Sequence, residues 1–317
     1  MAVVPLRLAG LALLGLVLAL TAAHKPVPNT LFGSWYFEFN GAAGNGTMTD
    51  AVKYLNYVVL SFVNPANLED FPAIFLQMMP TLNTSHLLLV SIGGQTWDNN
   101  THPHLLSDTL TIAPAPFSPP LDRRYGIDGI DIDAEGPALT TYPAENLVAF
   151  AQAIKTNAPD FLITLDVYGW PGSNTLNTNY MINNHLNGAG PRLIDWIHIM
   201  AYAGELDDKT YISYYTDASK STYLLQHGST CSPNGAINPG VPMDSVVIGM
   251  KAAAGFSSCN PPDYSDMVDY VKTNGMKGVS LWAFANSNGN ITLPWFNDTC
   301  VSGYSTLCQG LVDNCMY

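Results

Sequence analysis

Eight short runs in which nearly every position is apolar punctuate the chain from residue 31 onward. They are LFGSWY (31–36), YVVLSF (57–62), LLLVSI (87–92), GIDID (129–133), LITLDV (162–167), WIHIMA (196–201), SVVIGM (245–250) and GVSLWAF (278–284). Short runs with this little alternation suit strands covered on both faces. Between several of them the spacing becomes helical. AENLVAFAQAIKTN (144–157) repeats apolar residues at helical spacing and stops at Asn-Ala-Pro, and DYSDMVDYVKTNG (263–275) stops at a glycine. Eight strands with intervening helices in roughly 270 residues predict an α/β protein, a (β/α)8 TIM barrel. An open doubly wound sheet is the alternative, but no Gly-x-Gly-x-x-Gly follows the first strand. The stretch from Gln95 to Gly126 should hold the third helix, yet it contains APAPFSPPLDRR. That is too rich in proline for a helix and predicts an irregular segment in its place.

In such a barrel the chemistry lies at the C-terminal ends of the strands. The polar and aromatic residues at those ends are Tyr36 and Glu38, Ser91 to Gly94, Asp131, Asp133 and Glu135, Asp166 and Tyr168, Met200 and Tyr202, and Trp282. The stretch GIDGIDIDAEG (126–136) stands out, because Asp128, Asp131, Asp133 and Glu135 fall within eight residues of an apolar segment. Residues two apart on a strand face the same way, so Asp131, Asp133 and Glu135 project to one side. Crowded carboxyls in a poorly solvated interior cannot all ionise cheaply. At least one pKa rises, which creates a general acid of the kind that glycosidic bond hydrolysis needs. An acidic calcium or magnesium site is the alternative reading of the same residues.

Only 12% of residues are charged against 47% hydrophobic, so this clustering of charge is informative. Formal net charge is -13 and there is no basic run, which argues against nucleic acid or an anionic membrane as partner and leaves a neutral polymer possible. Residues 1–23 carry Arg7, a 13-residue uncharged run and then small residues, the layout of a secretory signal peptide cut after Ala22 or Ala23. Sequons at Asn45, Asn83, Asn99, Asn290 and Asn297 fit that route, and the expected location is secreted and extracellular. Five cysteines lie in the last third with no Cys-x-x-Cys pair, so disulfides are expected, with one thiol left over and the pairing open. No zinc or redox reading is supported, and the assignment carries no metal and no cofactor. The division is a signal peptide (1–23), a barrel (24–298) and a Cys-containing extension (299–317).

GIDGIDIDAE matches the DGxDxDxE signature of family-18 glycoside hydrolases, the chitinase family, at Asp128, Gly129, Asp131, Asp133 and Glu135. Ser91-Ile92-Gly93-Gly94 resembles the family's S-x-G-G block, Met200-Ala201-Tyr202 its Met-x-Tyr, and Trp282 its strand-eight tryptophan. The resemblance runs in chain order from residue 31 to about 290 and implies the substrate-assisted retaining mechanism. In that mechanism Glu135 is the acid/base, Asp133 orients the substrate's acetamido nitrogen, and Asp131 shares a proton with Asp133. Tyr202 holds the acetamido oxygen and Trp282 floors the sugar. Ser91 supports the aspartates, with Gly93 and Gly94 completing its block, and Asp128 shapes the strand entry. Met200, Tyr36 and Tyr168 are further candidates for substrate contact, as are Trp97, Trp170, Glu38 and Asp166, for which packing or an internal polar network is the other explanation. His198 reads as a buried, hydrogen-bonded histidine.

Two departures from the family pattern are Ala203, where Asp or Asn is common, and Ala134, where a bulky residue is common. The expected substrate partner is chitin or a chito-oligosaccharide, and the sequence does not fix an oligomeric state. The rival readings are an endo-β-N-acetylglucosaminidase acting on N-glycans and a catalytically weak chitin-binding lectin.

Overall fold

The computed structural model describes residues 25–37, 54–63, 73–82, 86–94, 125–133, 144–169, 171, 174, 176–186, 190–201, 207–217, 240–251 and 261–282. Eight parallel strands close into a barrel in sequence order. They are β1 (Leu31–Phe37), β2 (Tyr57–Ser61), β3 (Leu87–Gly93), β4 (Gly129–Asp133), β5 (Leu162–Tyr168), β6 (Trp196–Met200), β7 (Val246–Lys251) and β8 (Gly278–Trp282). The expected α/β barrel is therefore present, with each strand within a residue or two of the apolar run that announced it. Among the described residues the helices are α1 (Ala73–Leu82), α2 (Ala144–Asn157), α3 (Leu176–Met181) continued by a π-helical turn (Ile182–Leu186), α4 (Asp208–Thr216) and α5 (Pro261–Asn274). None of these is long and apolar enough to cross a membrane. Residues 95–124 of the expected irregular segment, Glu38, Ala134, Glu135, Trp170, Tyr202, Ala203, the cysteines, the sequons and residues 1–23 lie outside the described residues, and Trp97 with them.

Strand parity divides the apolar residues into two cores. Outward positions such as Phe32, Leu88, Ile130, Ile132, Ile163 and Ile199 pack with helix residues including Phe75, Phe150, Ile154, Tyr215 and Val271. Inward positions Leu31, Trp35, Tyr57, Val59, Leu87, Leu89, Leu162, Trp196 and Val247 form a second cluster inside the barrel. The two sets alternate along each strand, as a period of two demands.

The interior accommodates large rings by leaving glycines beside them. A Cβ on Gly33 would lie 2.2 Å from Cε1 of Tyr57, whose ring is fully buried and stacked on His198 at 6.0 Å and 8°. Gly33→Ala should therefore destabilise the fold by about 1–3 kcal/mol, because neither ring has room to retreat. Urea denaturation of the purified variant checks this.

The N-terminal end of the barrel is clamped by one device used three times. Asn56, Asp128 and Asp195 each stand just before an even-numbered strand. Each donates its backbone N–H to a carbonyl on the preceding strand, at Phe32, Leu88 and Ile163 respectively. Each then accepts that same residue's N–H with its side chain, at 2.9, 2.8 and 2.8 Å. Lys25 and Lys155 add ion pairs to Asp128 and Asp195 at 2.6 and 2.8 Å. Asp128 thus sits at the end of the barrel remote from the chemistry, where residues serve stability.

Candidate active site

The acidic stretch occupies the inward face of β4. Ile130 and Ile132 belong to the outer core, so Asp131 and Asp133 face the interior, 0% and 3% exposed. Three groups converge on Asp131. Ser91 of β3 donates to Oδ2 at 2.8 Å, while Oδ1 accepts from Thr164 of β5 at 2.5 Å and from Nδ1 of His198 on β6 at 3.2 Å. The strand registers explain this meeting: Ser91 pairs with Asp131, Asp131 with Thr164, and Asp166 with His198. Burial opposes ionisation of Asp131, but the hydrogen bond and electrostatic attraction of His198, with the hydrogen bonds from Thr164 and Ser91, outweigh it and hold the carboxyl below the usual aspartate range.

His198 is fully buried, and its Nδ1 also lies 2.9 Å from Oδ1 of Asp166. Its other nitrogen, Nε2, accepts from Nε1 of Trp196 at 3.0 Å. An indole nitrogen can only donate, so Nε2 carries the lone pair and Nδ1 carries the proton. The Nδ1–H is a donor shared by two carboxylates. Tyr57 stacks on one side of it and Trp35 meets it edge-on at 5.1 Å. Burial pushes the Tyr57 hydroxyl well above its usual range, so it stays neutral. It approaches Ser280, but not in good hydrogen-bond geometry, so the hydroxyls of Tyr57, Ser280 and Ser61 have no well-formed partner among the described residues.

Asp131, Asp166 and His198 place ligand-type atoms within 4.8 Å of one another. The Trp196 bond makes the set a poor cation site. A metal on Nδ1 would move the ring proton to Nε2, where it would confront the indole N–H. The arrangement suits hydrogen bonding among carboxylates.

The C-terminal rim gathers several of the other candidates. Gly93 pairs with Asp133 in register, and the Gly94 N–H donates to the Asp133 carbonyl at 3.0 Å. Gly94 has φ +93°, and a Cβ there would lie 2.9 Å from the Phe62 ring, so the end of β3 can turn over β4 only without a side chain. Met200 is buried and registers beside Tyr168, which is half-buried. Tyr168 is held through its backbone. Its N–H donates to Asn174 at 2.8 Å, and its carbonyl accepts from the Tyr215 hydroxyl. Trp282 is half-buried and lies 6.0 Å from Trp35 at the mouth of the interior cluster.

Tyr36 is a correction. Its ring belongs to the outer core and meets Phe75 of α1 at 5.8 Å, because parity turns it away from the interior. Its neighbour Trp35 faces inward and was not anticipated. Nor was Thr164, although its place two residues before Asp166 in LITLDV was a signal for it.

Comparison with known proteins gives this geometry a context. Residues 33–265 match the family described as glycosyl hydrolases family 18. The chain is 28% identical over 193 residues to "Chitinase 1" of Aphanocladium album, covering 55% of this chain and 42% of that one. It thus spans less than half the length of that relative. In fold it resembles a GH18 chitinase from Pseudoalteromonas aurantia, with a TM-score of 0.58 and 16% identity over 89% of this chain and 100% of that one. It resembles a fungal endo-β-N-acetylglucosaminidase of the same family equally, with a TM-score of 0.58 and 16% identity over 90% of this chain and 100% of the other. With more than half of its length matched, and the acidic strand inside the matched region, the chain belongs to glycosyl hydrolase family 18.

Proposed function

We propose that the protein is a chitinase, hydrolysing β-1,4-linked N-acetylglucosamine polymers with retention of configuration. The observation that carries this reading is the inward pair Asp131 and Asp133 at the C-terminal end of β4, two residues before Glu135 in a family-18 chain. Glu135 gives its proton to the departing glycosidic oxygen while the substrate's 2-acetamido oxygen attacks the anomeric carbon. The bond to the leaving sugar breaks and an oxazolinium ion forms. Water then adds at the anomeric carbon, returning its proton to Glu135, and the acetamido group is released. Asp133 accepts the acetamido N–H and faces the positive charge as it develops. Tyr202 holds the acetamido oxygen, and Trp282 supplies the apolar floor.

The same proposal includes export by way of residues 1–23 into an oxidising compartment where the cysteines pair. The N-terminal sequence and thiol count of protein recovered from culture medium test that part.

The substrate is tested by incubating the purified protein in parallel with chitotetraose and with a glycoprotein bearing N-glycans, followed by mass spectrometry of the products. Shorter chito-oligosaccharides are the expected result. Release of N-glycans cut within the chitobiose core, with chitotetraose left intact, would replace the reading by endo-β-N-acetylglucosaminidase. Binding of chitotetraose without cleavage of either substrate would replace it by a lectin.

A further inference from the structure

We propose that His198 is a positioning residue for the acidic strand: its Nδ1–H, fixed in direction by Trp196, holds Asp131 as a carboxylate beside Asp133. The inference builds on the glycosidase reading above, in which that pair orients the acetamido group.

The argument turns on which hydrogen bonds can reverse. Of the three groups bonded to Asp131, Ser91 and Thr164 present hydroxyls, which rotate and can accept as well as donate. Their presence alone does not decide whether Asp131 carries a proton. The His198 ring cannot reverse, because Nε2 is committed to the indole N–H at 3.0 Å and only Nδ1 can hold the proton. A fixed donor 3.2 Å from Oδ1 stabilises the ionised carboxylate and disfavours the acid.

Asp166 competes for the same N–H from 2.9 Å, so its charge state tunes how firmly Asp131 is held. The titratable groups facing the ring are Asp131 from β4, Asp166 from β5 and Tyr57 from β2. β1 contributes Trp35 and β6 contributes Trp196, neither of which titrates. The imidazole thus links the two carboxylates.

Two measurements test this, and the first needs no catalysis. Two-bond 1H–15N correlation of the wild-type protein at pH 8 should show His198 with a protonated Nδ1 and an unprotonated Nε2. A proton on Nε2 at that pH would overturn the proposal.

The second measurement is the pH dependence of kcat/KM on a chito-oligosaccharide for wild type, His198→Phe and His198→Asn. The phenyl ring preserves the stacking and removes the donor. The asparagine amide restores a donor near the Nδ1 position. Both variants leave the Trp196 N–H without its acceptor, so the difference between them isolates the donor. Loss of the donor makes protonation of Asp131 easier. The acid limb of His198→Phe should therefore move up by roughly one pH unit, with His198→Asn close to wild type. Equal acid limbs in His198→Phe and wild type, or the same displacement in both variants, would contradict the proposal. Should His198→Phe fail to fold, the nitrogen correlation on wild type decides alone. Should wild type hydrolyse nothing, the glycosidase reading falls while the tautomer result still judges the positioning of Asp131.

Discussion

Glu135→Gln should lower kcat on chito-oligosaccharides by at least about a thousandfold while leaving binding within a few-fold, the size expected when a general acid is removed from a slow bond cleavage. Glutamine is isosteric with glutamic acid but has no carboxyl proton to give, so the loss reports proton transfer and not collapse of the site. Single-turnover rates together with tetrasaccharide affinity, measured on protein whose far-UV spectrum matches wild type, check it. If the variant retains more than a tenth of the wild-type rate, Glu135 is not the acid, and the role of the preceding aspartates must be reconsidered with it.

The second large effect falls on stability. Asp131→Ala should cost about 3–5 kcal/mol, because it leaves the buried hydroxyls of Ser91 and Thr164 converging on a void and removes one of the two carboxylates that share the His198 donor. Asp131→Asn should cost much less, since the amide fills the space and the hydroxyl of Ser91 can turn to accept from it. The same pair reveals the pH dependence. The folded-state pKa of Asp131 is depressed, so its contribution is fully present above the unfolded value of about 4 and is lost as pH falls through the lower folded value. Guanidinium denaturation from pH 7 down to pH 3 should show that acid-side loss in wild type and a smaller one in Asp131→Asn, where Asp207 and other carboxylates still titrate. Identical acid-side slopes would mean that Asp131 is not held ionised by the folded barrel.

The barrel was legible in the sequence because its strands are buried on both faces, and such strands leave uninterrupted apolar runs that few other elements produce. The inward direction of Asp131 and Asp133 was also legible, since Ile130 and Ile132 occupy the alternate positions and only one parity buries both isoleucines against helices. Tyr36 shows the limit of that reasoning. It stands between Trp35 and Phe37, and adjacent aromatics at a strand end look alike in sequence although successive positions face opposite ways. The glycine at 33, inward because Tyr57 needs its space, was the signal that assigns Trp35 to the interior.

α1 was not legible, because Pro80 lies within it and its residues are apolar almost throughout, with no polar stripe to mark a period. α4 carries the opposite pattern, three buried residues among polar ones, and its start is set by Asp207, whose carboxylate accepts the Thr210 N–H at 3.0 Å. The bond from His198 to Asp131 and Asp166 depends on the register of three neighbouring strands, and no local pattern encodes it. Burial of His198 could be read from its place in WIHIM, whereas its partners required the closed barrel.

The account stands most directly on the anomeric form of the first product. Proton NMR in the opening minutes of chitotetraose hydrolysis, before mutarotation, should show the β-anomer at the newly formed reducing end, as two inversions through the substrate's own acetamido group demand. The α-anomer would mean a single displacement by water, and would contradict a site in which Asp133 positions the substrate's acetamido group and Glu135 serves as both acid and base.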